Sequence, residues 1–271
     1  MGATDRILIV GCGNMGGAML AGWLAGGLDP ARFTVVDPML AAAPAGVRLL
    51  RALPQGEVFG TLLLGVKPQQ LGALAPALAP LAGPGVVVLS ILAGADLATL
   101  AAQFPAARAL VRVMPNLSAA IGKSPLGLTG LGVTPQLRGQ IDALLAPLGT
   151  AEWVEEGLME AVTALAGSGP AFVYRFIDAL AAGGVALGLD PDQAARLANA
   201  TVEGAALLAA GADVPPVELA RRVTSPGGTT AAGLAVLDEG AALAGLVAAT
   251  MSAAAARTRE LAEIARTSAS A

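Results

Sequence analysis

The chain has no histidine, a single cysteine and only two lysines among its 271 residues. Without imidazole, a proton used in any reaction must come from solvent or from a weaker side-chain donor, and no metal site is expected. The lone Cys12 permits no internal disulfide and suits a reducing cytoplasm, the compartment expected here. Positive charge is scarce as well. Sixteen Lys and Arg against twenty Asp and Glu leave a formal charge of -4, so there is no basic footprint for nucleic acid. No leader pattern stands at the start, since Arg6 opens directly into an apolar run. Uninterrupted apolar runs are few. Leu71 to Ala95 is uncharged but broken by Pro76, Pro80 and Pro84. Gly240 to Ala256 is uncharged too, but it is short for a bilayer and rich in Ala, Gly, Ser and Thr, so it reads as a buried helix. Neither a membrane nor a nucleic acid is an expected partner.

What is present divides the chain in two. Short apolar runs at Arg6–Val10, Phe33–Val36, Thr61–Gly65, Val86–Ser90 and Ala109–Val113, with a sixth near Thr150–Val154, alternate with helical segments such as Met15–Ala25, Gln69–Leu81 and Asp96–Phe104. That alternation predicts βαβ units and a parallel sheet covered on both faces. After Glu155 nearly everything is helix-forming, in stretches such as Ala171–Leu187, Pro191–Ala210, Pro215–Val223, Thr229–Asp238 and Gly240–Ala265. The expected class is α/β: a Rossmann-like doubly wound parallel sheet over residues 1–154, then an all-helical dimerisation and substrate-binding domain over 155–271. Leu180 to Gly188 mixes Ala, Gly and Leu at spacings that let helices approach closely, and the thin polar coverage of this half points to dimerisation rather than a self-contained bundle.

Ile7-Leu-Ile-Val10 runs into Gly11-Cys-Gly-Asn-Met-Gly16, a GxGxxG loop with an apolar strand before it and a helical pattern after it. Gly11, Gly13 and Gly16 allow a tight turn and close approach of a pyrophosphate, and the helix start at Asn14 and Met15 supplies N–H donors. Cys12 within this loop reads as a small filler rather than a redox group. Asp37 follows the second strand, where a carboxylate accepts from ribose hydroxyls and repels a 2′-phosphate, so NADH is favoured over NADPH; the competing reading is a turn cap with Pro38. Later strand ends should line the same cofactor: Val66, Lys67 and Pro68 after one strand, Ala93 and Gly94 after another, and Asn116 after a third. Lys67 reads as a phosphate or ribose contact or a solvated loop lysine, and Asn116 as a nicotinamide or ribose contact or a turn cap. Far downstream, Val223-Thr-Ser-Pro-Gly-Gly-Thr-Thr230 opens a helix with two glycines, three hydroxyls and a proline, a ring of N–H groups suited to a small carboxylate.

These motifs together resemble pyrroline-5-carboxylate reductase. The likeness runs through nearly the whole chain in order: GCGNMG at 11–16, GVKPQ at 65–69, VMPN at 113–116, EAVTALAGSGPAF at 160–172, DALAAGGVALGL at 178–189, VTSPGGTTAAGL at 223–234 and TRELA at 258–262. Departures are Glu160 for the usual Asp, Ala166 for Ser, Phe172 for Tyr, and Asp37, where many members carry small polar or basic residues and use NADPH. The resemblance implies hydride transfer from reduced nicotinamide to the ring C=N carbon of 1-pyrroline-5-carboxylate, giving L-proline. It implies Thr230 as hydrogen-bond partner of the ring nitrogen, and Gly228, Thr229 and Thr230 backbone with Ser225 around the substrate carboxylate. It also implies Ser168 shaping the pocket with Glu156 near its edge, and a homodimer that in some members builds larger rings. An imine is basic enough to take its proton from solvent or a weak donor, so the lack of histidine fits; alignment of the reactants supplies much of the rate. A hydroxyacid dehydrogenase with the same layout needs a lysine in the helical half, and none follows Lys123. A reductase of another cyclic imine and a non-catalytic dinucleotide-sensing dimer stay as alternatives.

Overall fold

A computed structural model describes residues 5–269, with side chains as far as Glu260 and at Glu263. The chain folds into two compact units. One holds residues up to Ser168 together with Ala254 onward; the other is Gly169–Ala253.

The first unit is an eight-stranded sheet. Its strands are β1 (Ile7–Val10), β2 (Phe33–Val36), β3 (Arg48–Leu50), β4 (Thr61–Leu64), β5 (Val87–Ser90), β6 (Ala109–Met114), β7 (Ser124–Leu131) and β8 (Gly149–Trp153). They lie in the order 3-2-1-4-5-6-7-8. Strand order reverses at β1, which pairs in parallel with both β2 and β4. The four residues of β1 are all buried and divide by parity. Ile7 and Ile9 pack on one face with Met19, Trp23 and Phe33, and Leu8 and Val10 pack on the other with Leu62, Leu78 and Leu100. Helices therefore cover both faces: α1 (Asn14–Ala25), α2 (Leu71–Leu78), α3 (Leu97–Gln103) and α4 (Pro135–Leu145).

Two strands had no legible signal. β3 is a three-residue edge strand, its Arg48 paired with Glu57 at 2.8 Å. β7 contains Pro125, Gly127 and Gly130, residues that weaken a strand reading. It also runs antiparallel to β6, so the sheet is mostly, not wholly, parallel. Packing explains its glycine: a Cβ at Gly127 would collide with Val162, in the short helix α5 (Met159–Val162). α5 continues into a π turn, Thr163–Gly167.

The second unit comprises α6 (Gly169–Ala186), α7 (Pro191–Ala210), α8 (Pro216–Arg222), α9 (Thr229–Asp238) and the first part of α10 (Ala242–Ala269). Asp190 caps α7 by accepting from the N–H groups of Asp192 and Gln193, and Pro191 sits at the first helical position. Gly184 lets α6 approach α7 within 3.3 Å of the Ala194 methyl, measured from where its own Cβ would stand. α6 buries none of its residues in this chain, and α7 buries only Ala194 and Ala198. Phe176, Leu197, Leu208 and Leu246 are exposed by 46%, 56%, 74% and 69%, so this unit has no core of its own.

The stretch 240–256, expected to be a buried helix, is largely exposed in the single chain. Thr229–Glu260 is long and apolar enough to cross a bilayer by length and composition. It is not one continuous helix, because Gly240 (φ 57°) and Ala241 (φ 59°) take left-handed backbone and kink it. Ala241 is the one non-glycine with positive φ among the described residues.

Packing around α1 makes a direct test. A Cβ on Gly22 would overlap the Ala119 carbonyl and come within 2.8 Å of a Leu148 methyl, whereas one on Gly139, inside α4, meets nothing within 4 Å. Gly22→Ala should lower unfolding free energy by roughly 2–3 kcal/mol, and Gly139→Ala should raise it by about 0.5–1 kcal/mol. Denaturant titration of the two variants checks both signs.

Candidate active site

Five parallel strands end in register at one edge of the sheet: Val10 beside Val36 and Leu64, Leu64 beside Ser90, and Ser90 beside Arg112. Ligands of such sheets sit at this carboxyl edge, where strand order reverses. The glycine loop emerges there. Gly11 has φ 86°, and a Cβ on it would come within 2.8 Å of the Gly65 carbonyl and the Val66 nitrogen. A Cβ on Gly65 would in turn strike the Gly11 carbonyl, and one on Gly16 would lie 2.7 Å from that same oxygen. Gly13 differs. It is the extended N-cap of α1, its Cβ position faces nothing within 4 Å, and no side chain caps the helix. The N–H groups at Asn14, Met15 and Gly16 thus form an anion-binding cradle that a side chain at residue 13 would fill. These residues fit a dinucleotide pyrophosphate.

Asp37 reaches back to this loop. One carboxylate oxygen accepts from the Cys12 N–H at 2.8 Å; the other accepts from Met39 at 2.8 Å and Leu40 at 3.1 Å. Burial alone would raise its pKa, but these three backbone hydrogen bonds and the nearby Arg51 outweigh it and hold the carboxyl below its usual value. Asp37 therefore both caps its turn and carries a charge against the glycine loop. Arg51 had no motif to reveal it. Its guanidinium donates to the Asp37, Leu40 and Ala41 carbonyls and braces the whole turn. The Cys12 thiol is pushed up to about 11 by burial and then by the Asp37 charge, which keeps it protonated and supports the reading of a filler residue.

The later loops join the same edge. Lys67 is exposed between half-buried Val66 and Pro68, and exposed Ala93 precedes buried Gly94 at φ 86°. Asn116 lies here too, but its side chain turns into the protein. It accepts from the Ser118 N–H and donates to the Ala166 carbonyl, each at 2.9 Å, geometry that favours the turn-cap reading over a nucleotide contact. Glu156 is pinned by the Leu97 N–H at 2.7 Å and by Arg112 at 3.0 Å. Arg112, only 11% exposed along its side chain, lies inside the sheet with that carboxylate as its counter-ion. The sequence offered no sign of this pair, because 44 residues separate its members. Ser168 follows the π turn and is half-buried.

In the second unit, Ser225, Gly228, Thr229 and Thr230 gather at the start of α9. Gly227 takes φ 67°, and a Cβ on Gly228 would collide with the Ser225 hydroxyl. The Gly228 N–H, expected to face a carboxylate, donates instead to the Ser225 carbonyl at 3.0 Å, which closes the turn. The helix has no side-chain cap, so its first N–H donors are those of Thr229, Thr230 and Ala231. Ser225, Thr229 and Thr230 are exposed, while Gly228 is half-buried. The arrangement can hold a small carboxylate on N–H groups while presenting hydroxyls beside it.

Residues 156–261 match the family model described as pyrroline-5-carboxylate reductase dimerisation. The pyrroline-5-carboxylate reductase of Pseudomonas aeruginosa is 36% identical over 96% of this chain and 98% of its own length. A solved pyrroline-5-carboxylate reductase from Coxiella burnetii superposes with a TM-score of 0.88 at 30% identity, covering 95% of this chain and 98% of that one. The Plasmodium falciparum pyrroline carboxylate reductase, solved with NADP bound, gives a TM-score of 0.81 at 22% identity over 96% of this chain and 99% of its own, and shows the shared fold. With close relatives matching from end to end and the glycine-loop edge and the Ser-Pro-Gly-Gly-Thr-Thr helix start both formed, the chain belongs to the pyrroline-5-carboxylate reductase family.

Proposed function

We infer that the protein is an oxidoreductase that converts 1-pyrroline-5-carboxylate to L-proline, the last step of proline biosynthesis, working as a homodimer in the cytoplasm. The observation that carries this reading is the uncapped start of α9, where N–H donors and the Thr230 hydroxyl stand together. A bound reduced nicotinamide supplies the hydride for the ring C=N carbon. The chain's own part is to place and orient. The glycine loop and the N-terminus of α1 hold the pyrophosphate, and the start of α9 with Ser225 holds the substrate carboxylate. Thr230 hydrogen-bonds the ring nitrogen, which takes its proton from solvent or from this hydroxyl. No strong general acid is needed, in keeping with a chain that has no histidine. The extent of exposed leucine and phenylalanine on Gly169–Ala253 supports the dimer.

NADH is the favoured coenzyme in this reading. The Asp37 carboxylate, held ionised beside the glycine loop, has one oxygen with a single protein donor and hence a lone pair for a ribose hydroxyl, while its charge repels a 2′-phosphate.

The first test is substrate-dependent oxidation of NADH and of NADPH by the purified protein; no oxidation of either overturns the reading. Thr230→Ala should cut kcat by about 10²-fold while nucleotide KM stays within twofold of wild type; an equal loss in both points to a structural role. Asp37→Asn removes the charge and keeps one acceptor oxygen, enough for the Met39 and Leu40 N–H groups but not for that of Cys12, and should lower the ratio of kcat/KM for NADH over NADPH by about tenfold. An unchanged ratio refutes the role given to the carboxylate. Gly13→Ala should leave the melting temperature within about 2 °C and raise nucleotide KM at least about tenfold, because its methyl enters the pyrophosphate cradle and touches no protein atom.

A further inference from the structure

Asn116 and Ala166 are 50 residues apart in sequence, yet one hydrogen bond joins them, and the reason lies in the turn around Ala166. Thr163–Gly167 is a π turn: the Ser168 N–H reaches back five residues to the Thr163 carbonyl at 2.9 Å. An α-helix would aim the N–H of residue 170 at the Ala166 carbonyl, but residue 170 is proline and has none. Ala166 is 8% exposed, so its carbonyl needs a donor from the protein. Asn116 provides one. It is itself 5% exposed and held on three sides: its backbone N–H donates to the Ser124 hydroxyl at 2.9 Å, its side-chain oxygen accepts from Ser118, and its side-chain amide donates to Ala166.

We propose that Asn116 is a positioning residue for the substrate end of the site: its amide replaces the N–H that Pro170 lacks, holds the π turn, and so sets where Ser168 stands. The inference rests on the reading of Ser168 as a pocket residue. It links the carboxyl end of β6, at the cofactor edge, to the last residues before α6 through one bond between side chain and backbone.

The decisive experiment is a rescue. Asn116→Ser keeps an acceptor for the Ser118 N–H but is too short to reach Ala166, and it should raise KM for 1-pyrroline-5-carboxylate about 5–10-fold with nucleotide KM unchanged. Adding Pro170→Ala to that variant restores an N–H at residue 170 and should recover most of the loss, measured against Pro170→Ala alone. A purely structural defect at Asn116 would not be relieved by a new donor 54 positions away. Recovery supports the proposal. Failure to recover, or a rise in nucleotide KM with substrate KM unchanged, overturns it. If Asn116→Ser does not fold, Asn116→Asp serves in its place. Its protonated acid donates to Ala166 and its ionised form does not, so substrate KM relative to wild type should rise with pH; a flat ratio counts against the proposal. Ser168→Ala is measured separately. No effect on substrate KM there removes the pocket role of Ser168, while the Pro170 rescue still decides whether Asn116 holds the turn.

Discussion

Two backbones touch where β1 and β4 leave the sheet, and most of the first unit is arranged around that contact. Gly11 and Gly65 leave no room for a Cβ between them, and Gly16 lets α1 come down on the same carbonyl. Because the strands part in opposite directions in sequence order at this point, the contact sits at the mouth of the crevice where a ligand is received. Three of the glycines are thus given over to packing protein against protein. Gly13 alone among them faces open space, and it is the one whose missing side chain serves the nucleotide in the proposed reaction.

Charge is used sparingly, and the charges that shape the site are each tied down. Asp37 is held by three backbone N–H groups, and Arg51 by three carbonyls of the same turn. Arg112 inside the sheet is matched by Glu156, which also takes the first N–H of α3. Removing Glu156 would leave the largely buried Arg112 without its counter-ion, so this contact is worth more as a restraint on geometry than as a source of stability. A reaction that needs alignment more than proton transfer is served by rigid restraints of this kind.

The helical unit has the opposite character. Its helices α6 and α7 pack through alanine and glycine, and the unit leaves leucine, valine and phenylalanine uncovered over much of its surface. Apolar exposure of this extent is costly for a monomer in water. Cover from a second subunit accounts for the same composition that, read by length and hydropathy alone, resembles a membrane span. The kink at Gly240 and Ala241 makes the distinction physical, since it breaks the run into a ten-residue helix and a separate one.

What the sequence by itself determined is local: strands read from short apolar runs, helix starts at Asp96, Pro191 and Thr229, and two glycine-rich turns from their spacing. These were legible because each depends on residues a few positions apart, and both faces of β1 are apolar whichever neighbours cover them. Tertiary structure decided whatever depends on distant partners. β7 is a strand despite Pro125 and Gly127 because β6 and β8 pair with it and α5 needs the space that the glycine leaves. Asn116 faces Ala166 rather than the crevice because a proline further along the chain left a buried carbonyl without a donor. The stretch 240–256 is largely exposed in the single chain, because burial depends on what lies against a helix, and no property of the helix's own residues records that.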